Sequence, residues 1–307
     1  MLNGVPFLNY LGIYDRDLSG RKTKAENENI MTANMYTEQM FNYAMIRYEW
    51  LNLPDSFDER FMELVLNTQG AFVGYRQEST DKLVVSMVTQ DGDLNMYYNP
   101  IKFRAYDPTG ASVKLDLSTG VICYNNFTRT PTTNIINQYA DRLSDITRTI
   151  DIDLGNQKHP MIYSGPKKLL LSIKNLFRNI RKNEPIIYTQ QDIGQLTAIN
   201  VQTEMVSDKL QTLKLSFWNE AMTMLGIENV NMEKRERLIK DEVNSNSEQI
   251  EMSRNMGLIA RRDFCKRFND MFGTDIWVRY RVHVDRTENE LMTENPITDI
   301  EEGVTNG

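Results

Sequence analysis

Apolar residues recur along this chain with two different periods, and the change of period separates predicted helices from predicted strands. Residues 28–51 and 58–67 show helical spacing, with Pro54 between them. Residues 71–124 instead contain short β-branched and aromatic runs: AFVGY, LVVSMVT, LNMYY, IKFRAY, VKLDL and GVICY. We therefore expect two helices followed by a small, mainly antiparallel β unit.

A hairpin is predicted inside this β unit at the pair Asp91-Gly92. The pair separates LVVSMVTQ from DLNMYY, and glycine tolerates the positive φ that a tight turn requires. The second strand of the predicted hairpin is then LNMYY.

Helical spacing returns after Pro131 in two long segments, residues 134–151 and 203–225. Gly226 directly follows the second segment, at a position where glycine commonly ends a helix. Each segment has one apolar stripe and is therefore expected to pack against other helices. The stripe residues are Ile136, Tyr139, Leu143, Ile146 and Ile150 in the first segment, and Val206, Leu210, Leu213, Phe217, Ala221 and Met224 in the second.

The region between the long helices is predicted to be strand, helix, strand, with the segments PMIYS, PKKLLLSIKNLFRNIRK and PIIYT. Its helix has no acidic residue and can attract DNA phosphates, an acidic partner surface or anionic lipid. A solvated helix face fits the same pattern. The lipid interpretation is weaker, because the flanking strands would hold the apolar side in a core. The basic residues are Lys167, Lys168, Lys174, Arg178, Arg181 and Lys182.

The segment MEKRERLIKDEV, residues 232–243, favours helix but has almost no apolar stripe. Its i,i+4 ion pairs contribute only ~0.2–0.5 kcal/mol each, so we expect a mobile segment. Downstream, Ser245-x-x-Glu248 is a capping-box pattern that predicts a helix start, and Gly273 is the predicted end of that helix. The run IWVRYRVHV then alternates as a half-buried strand does, and the polar tail is predicted to be disordered.

The composition argues against several classes of function. A net charge of −7, from 35 basic and 42 acidic residues, does not suit a protein that clamps nucleic acid with its whole surface. Two histidines and two distant cysteines do not supply a His-based triad, a multi-His metal site or a disulfide framework. The sequence also lacks a phosphate-binding loop and a nucleophile elbow. We therefore expect no enzymatic activity, no cofactor and no metal.

The first fourteen residues, MLNGVPFLNYLGIY, are apolar but lack the charged n-region of a signal peptide. No apolar run approaches the ~20 residues that a membrane span needs. We expect a cytoplasmic chain without membrane association, whose apolar N-terminal arm packs on the body of the protein or on a neighbouring subunit.

The order of these elements and several of their motifs resemble the upper collar proteins of small short-tailed bacteriophages with protein-primed DNA genomes. These proteins are also called portal proteins or head–tail connectors. The strongest similarity runs from Val206 to Arg281 and includes SDKL, FWNEAMTMLGIENVNMEKRERLIKDEVNSNSEQIE and WVRYR. Weaker matches are YEWLNLP, GAFVGY and VICYNN with the following PTT. The set is collinear over most of residues 40–283, which makes the resemblance specific.

The resemblance implies an α+β, mainly α fold that is assembled as a ring. Long helices would form the channel wall, beside a small β-rich wing and a small α/β clip module. The implied regions are an N-terminal arm and linker (1–27), N-terminal helices with part of the wing (28–133), a first stem helix (134–158), a strand–helix–strand clip (159–202), a second stem helix (203–226), a channel loop (227–247), a wing helix and strand (248–284), and a C-terminal crown or tail (285–307).

The resemblance also implies a function, namely a ring of twelve copies at the capsid vertex through which viral double-stranded DNA is packaged and ejected. Its partners would be the major capsid or scaffold protein, the packaging ATPase, and then the lower collar or tail protein. The N-terminal arm, apolar here but strongly basic in the family, would attach to capsid, tail or packaging components. Such a ring would be part of the virion and would assemble in the host cytoplasm. The alternative is a small nucleic-acid-binding module that uses the basic helix 167–182; a membrane-associated adaptor using that helix is a third.

The resemblance further suggests which residues meet DNA. Lys209 matches a channel-lining lysine of the family, whereas the second lysine expected nine positions earlier is replaced by Asn200, and Lys214 is a possible substitute. The channel loop would contribute further cations, and the basic helix 167–182 would dock the motor or tail. Twelve copies carry a charge of roughly −84, which keeps DNA phosphates from sticking to the wall. The channel-loop cations are Lys234, Arg235, Arg237 and Lys240.

Overall fold

A computed structural model of the chain describes residues 24–107, 110–158, 161–164, 197–200, 206–228 and 240–281. The elements in these ranges are five helices and nine strands in a mixed α+β arrangement, as the sequence predicts. In chain order they are α1 (Lys24–Met45), β1 (Tyr48–Leu51), α2 (Glu59–Gln69), β2 (Ala71–Gln77), β3 (Lys82–Gln90), β4 (Lys102–Tyr106), β5 (Ser112–Asp116), β6 (Gly120–Tyr124), α3 (Thr133–Lys158), β7 (Met161–Ser164), β8 (Thr197–Asn200), α4 (Ser207–Leu225), α5 (Lys240–Phe272) and β9 (Trp277–Tyr280).

These elements form two compact units. The larger unit contains residues 34–138 and the described residues from 219 onward, and the smaller contains residues 24–33, 139–158 and 206–218 with strands β7 and β8. Helices α1, α3 and α4 each contribute residues to both units.

A five-stranded antiparallel sheet organises the larger unit, with the strand order β5-β4-β3-β2-β6. Helix α5 packs closely on β2, because a Cβ at Gly74 would lie only 2.7 Å from the ring of Phe268. Phe72, Phe264 and Phe268 are fully buried there and pack edge to face or tilted. Contacts of this kind between bulky apolar side chains stabilise the helix on the sheet.

The predicted hairpin at Asp91-Gly92 is wrong in its second strand. Strand β3 pairs with β4, so Met87 lies opposite Tyr106, and LNMYY is a loop with a single bridge between Leu94 and Pro100. Gly92 does have the predicted positive φ, 110°. The pattern failed because Met96, Tyr97 and Tyr98 have strand-forming side chains but point to solvent in a loop.

Two strands of the larger unit pair although they are far apart in sequence. β1 is antiparallel to β9, with Tyr48 opposite Tyr280 and Trp50 opposite Val278. The alternation predicted for β9 is confirmed, since Val278 is buried and Trp277 exposed. The prediction of helix as far as residue 51 is wrong, because helix α1 ends at Met45 and pairing with β9 makes YEWL a strand. Its helical periodicity was overridden by a partner more than 200 residues away.

Helix α5 begins earlier than the capping-box pattern predicts. It starts at Lys240 and passes through Ser245, which is therefore not its N-cap. Its predicted end is confirmed, because the helix stops at Phe272 and Gly273 follows with a φ of 68°.

The smaller unit is held by polar contacts between its helices. Arg148 on α3 forms an ion pair of 2.6 Å with Glu28 on α1. Asp153 on α3 accepts hydrogen bonds from the backbone N–H of Val206 (3.3 Å) and the hydroxyl of Ser207, at the start of α4. The first of these bonds satisfies a backbone N–H that a helix start leaves unpaired, and together they position the beginning of α4 on α3.

The strand–helix–strand prediction is partly testable. Strand β7 lies where PMIYS predicts a strand, but its partner is β8, to which it is antiparallel. The sequence did not predict β8. The basic helix and the strand PIIYT fall outside the described residues.

Candidate functional site: a polar network at the end of helix α4

A fully buried ion pair lies at the centre of the larger unit. Glu63 on α2 accepts from the Nε of Arg261 on α5 (2.8 Å) and from its Nη2 (2.7 Å), and neither side chain reaches solvent. The remaining guanidinium donors bond the backbone oxygen of Gly257 and both oxygens of Asn125. All five N–H donors of Arg261 are therefore satisfied, as burial of a charge requires.

The charge on Arg261 is secured by this pairing. Burial alone would lower the pKa of Arg261, whereas the charge and hydrogen bonds of Glu63 raise it, and the net pKa lies above its ordinary value. Glu63 also accepts hydrogen bonds from Trp50 Nε1 (2.8 Å) and Asn67 Nδ2 (3.3 Å). The ring of Tyr48 lies 4.1 Å from the guanidinium carbon of Arg261, a cation–π contact.

A second buried arginine, Arg47, extends the network to the end of helix α4. Its Nη1 donates to the backbone oxygen of Leu225 (2.7 Å), the last residue of α4, and its Nη2 donates to Asn67 Oδ1 (3.2 Å). The last carbonyls of a helix have no partner within it and carry partial negative charge. Arg47 therefore caps α4 and connects it through Asn67 to Glu63.

A close crossing of chain segments surrounds Gly226, immediately after α4. Gly226 has a φ of 70°, as its predicted capping role requires, and a Cβ there would lie 2.7 Å from the backbone N of Arg254 on α5. Arg254 donates to Gly226 O (3.4 Å) and to Glu228 Oε1 (3.2 Å). Its guanidinium carbon lies 3.7 Å from the ring centroid of Tyr280, whose hydroxyl donates to Gly226 O (3.2 Å).

This network is suited to holding structure in place rather than to catalysis. Burial raises the pKa of Cys265 to about 12 and raises that of Cys123 well above its ordinary value, so that neither thiol is ionised near neutral pH. In the part of the chain that the structure describes, no cluster of His, Cys, Asp and Glu could hold a metal ion. None of the helices in that part is long and apolar enough to cross a membrane. The network fixes residues 226–228, which lead directly into the charged segment.

The structure places three of the cations predicted to line a channel. Lys209 is exposed and Lys214 half-buried on α4, and Lys240 is the first residue of α5. Lys214 is five positions after Lys209 on α4, which puts the two about 140° apart around the axis and about 7.5 Å apart along it. The two lysines therefore do not share one face of α4. The predicted residues outside the described ranges are Lys234, Arg235 and Arg237 of the channel loop, and Lys167, Lys168, Lys174, Arg178, Arg181 and Lys182 of the basic helix.

Sequence reasoning missed the arginines and Glu63 of this network. One signal was present, because Arg261 is four residues after Gly257 and three before Phe264, and so lies on the apolar side of α5. A charge in such a stripe is rarely buried without a partner. No comparable pattern marks Arg47 or Arg254.

Solved structures similar to this chain come from phage portals and related particles. The portal and tail of native bacteriophage P68 matches with 16% identity and a TM-score of 0.45, over 91% of this chain and 97% of that chain. An HK97 family phage portal protein from Corynebacterium diphtheriae matches with 10% identity and a TM-score of 0.42, over 84% and 94%. The neck of an empty GTA particle matches with 9% identity and a TM-score of 0.37, over 87% and 84%.

The class of protein is that of the bacteriophage head–tail connectors, or portals, which are structural components of the virion at the capsid vertex. The match over residues 19–285 is to the family described as Phage Connector (GP10), and the chain belongs to this family. This agrees with the resemblance found in the sequence.

Proposed function

We propose that this protein forms a ring of twelve copies at the capsid vertex, through which viral double-stranded DNA enters during packaging and leaves during ejection. Membership of the connector family supports the proposal. In this arrangement α3 and α4 are the channel-wall helices, and the larger unit contributes the wing.

The observation that carries ring assembly is the exposure of apolar side chains on opposite faces of both wall helices. On α4, Leu213 and Leu215 are 42% and 43% exposed; on α3, Ile152 and Leu154 are 60% and 44% exposed. Residues two apart lie about 200° apart around a helix, so each pair points in opposite directions. One packing partner cannot cover both members of a pair. A ring supplies a neighbouring copy on each side of every subunit, which is the form of burial that these helices need.

DNA contact is proposed for the cations along this wall. Lys209 is exposed on α4, where it can meet phosphates, and Lys214 faces a different direction. Lys234, Arg235, Arg237 and Lys240 would add cations at the loop between α4 and α5. A wall that is acidic in sum, with separate basic positions, favours passage over tight binding.

Docking of the packaging ATPase, and later of the lower collar or tail protein, is proposed for the basic helix 167–182. Its six cations and lack of acidic residues favour an acidic partner surface. The major capsid or scaffold protein would contact the wing.

Assembly is tested by replacing Leu213 and Leu215 with serine and measuring the mass of the purified protein by native mass spectrometry. The unaltered protein should give a species of twelve 35.7 kDa chains, about 428 kDa, with rings visible by electron microscopy. The double variant should shift toward smaller species while its circular dichroism is unchanged.

The matched control is Leu117→Ser, which makes the same chemical change at a leucine that is 52% exposed in the turn between β5 and β6. This variant should assemble like the unaltered protein. A monomer of 35.7 kDa from the unaltered chain, or full-size rings from the Leu213/Leu215 double variant, would contradict the proposed arrangement.

A further inference from the structure

The loop between β3 and β4 displays large apolar side chains to solvent. Met96 is 82% exposed, Tyr97 71% and Tyr98 77%. The two tyrosines alone present on the order of 300 Å² at these exposures. Soluble monomers seldom leave a contiguous apolar patch much larger than this uncovered. We call residues 96–98 the aromatic tip.

The aromatic tip is held in one shape by the polar residues on either side of it. Asn95 Oδ1 accepts hydrogen bonds from the backbone N–H groups of Tyr97 (2.9 Å) and Asn99 (3.0 Å), and Tyr98 N–H donates to Asn95 O (2.9 Å). The polar groups are thus used inside the loop while the apolar side chains point outward. A loop that is already ordered loses little conformational entropy when it binds.

Arg129, in the loop between β6 and α3, fixes the far side of the β3–β4 loop. It donates to the backbone oxygen of Tyr98 (2.9 Å) and to Asn99 Oδ1, and its guanidinium carbon lies 4.4 Å from the ring centroid of Tyr124. Tyr98 and Arg129 both have a φ of 59°, in a region that costs a residue with a side chain roughly 1–2 kcal/mol. Strain of this kind at an exposed apolar loop points to binding.

The aromatic tip borders an apolar pocket of the same unit. Tyr98 lines both, and the cavity has a volume of about 300 Å³. Its one charged lining residue is Arg129, which is already engaged. Apart from this one cation, tip and pocket form a mainly apolar surface, which suits an apolar occupant. The pocket is lined by Ala71, Val88, Thr89, Gln90, Leu94, Tyr98, Pro100, Phe103, Ile122, Tyr124 and Arg129.

The chain itself contains a segment with this chemistry. Residues 1–14, MLNGVPFLNYLGIY, form the longest stretch without Asp, Glu, Lys or Arg in the sequence, and nine of the fourteen are apolar. Such a composition favours burial over exposure to water. Nine residues, 15–23, connect this arm to Lys24, the first described residue. We infer that residues 1–14 bind the aromatic tip and the adjoining pocket.

This inference does not depend on ring assembly or on DNA passage, because it concerns one segment and one surface of the chain. Its consequence is a covered wing loop whose two strained residues are stabilised by an apolar neighbour.

Methionine oxidation tests the inference on the intact protein. Met96 lies in the tip, and Met252, which is 71% exposed on α5, is the internal control. With dilute peroxide, Met96 should oxidise at least about fivefold more slowly than Met252, the protection given by an arm bound for roughly four-fifths of the time. Removal of residues 1–14 should bring the two rates together, with the Met252 rate and the circular dichroism unchanged.

Adding a synthetic peptide of residues 1–14 to the shortened protein should restore protection of Met96, and a scrambled peptide should not. This comparison remains valid even if the shortened protein is less stable, because both peptides are added to the same preparation of that protein. Equal oxidation of Met96 and Met252 in the intact chain would overturn the inference. Protection that persists without residues 1–14 would also overturn it and would assign the cover to a different surface, such as a second copy of the chain.

Discussion

Arg261 and Glu63 are the residues on which the interior of the larger unit depends most. Both side chains are buried, and each is the ion-pair partner of the other. Transfer of a charge from water is costly, so such a pair adds modest net stability when complete but is damaging when one member is lost. Its location links α2, α5 and, through Asn125, the end of the sheet.

We expect Arg261→Met to lower the free energy of unfolding by about 3–5 kcal/mol, because Glu63 is left as a buried, unpaired carboxylate. Urea denaturation measures the loss. The control is Arg60→Ala, which removes a solvent-exposed pair of 3.9 Å with Asp58 and should cost less than about 1 kcal/mol.

The double variant Glu63→Leu with Arg261→Met distinguishes the cost of an unpaired buried charge from the cost of altered packing, because it removes both charges. It should recover part of the loss, since no unpaired charge then remains. A double variant less stable than the sum of the two single changes would show that the pair is not the source of the effect.

At the scale of elements, the feature of most consequence is where α4 ends. Arg47 bonds the last carbonyl of the helix, and Arg254 and Tyr280 both bond Gly226 O. Three residues that are distant in sequence thus bond two consecutive carbonyls, those of Leu225 and Gly226. Gly226 is required there for two reasons, its positive φ and the absence of a Cβ against α5.

Alanine substitutions at Gly226 and Gly273 allow the effect of the positive φ to be measured separately from the effect of the added Cβ. Gly226 and Gly273 have nearly equal φ values, 70° and 68°, but no atom lies within 4 Å of a Cβ at Gly273. We expect Gly273→Ala to cost about 1 kcal/mol from backbone strain alone. Gly226→Ala should cost about 1–3 kcal/mol more, because the methyl group also forces α5 away. Thermal unfolding of both variants provides the comparison, and equal losses would mean that the close crossing with α5 does not matter.

At the scale of the whole molecule, the proposed conduit depends on what joins α4 to α5. Glu228 contacts Arg254, yet α5 begins fourteen residues before Arg254, at Lys240. That stretch of helix is about 21 Å long. Deleting residues 231–239 would leave too little chain to cover this length. The segment must therefore be exchanged rather than removed when its role is tested.

Replacement of residues 231–239 by a Gly/Ser segment of equal length should leave ring assembly unchanged. Retention of packaged DNA should fall, because the cations Lys234, Arg235 and Arg237 no longer meet phosphates. Nuclease protection of the genome in assembled particles measures retention. The matched variant changes only these three residues to Gln and should reproduce the defect if charge is responsible. Absence of rings from the Gly/Ser variant would instead assign the segment a role in assembly.

The long helices and the family could be recognised from the sequence because their signals are local or collinear. The apolar stripes of α3 and α4 repeat every three or four residues, and Gly226 and Gly273 end helices as expected. Their chemistry requires only neighbours within one or two turns. The portal resemblance rested on ordered motifs across the chain, and the match to the connector family agrees with it.

Only the tertiary structure decided the features that depend on contacts between residues far apart in the sequence. Strand β1 was predicted as helix because its partner β9 lies more than 200 residues away, and LNMYY resembled a strand although β3 pairs with β4. The Glu63–Arg261 pair joins residues 198 positions apart, so the spacing that puts Arg261 on the apolar side of α5 does not reveal that Glu63 is its partner. Local periodicity determines which face of an element is apolar; which partner covers that face, and which charges meet beneath it, follows from long-range packing.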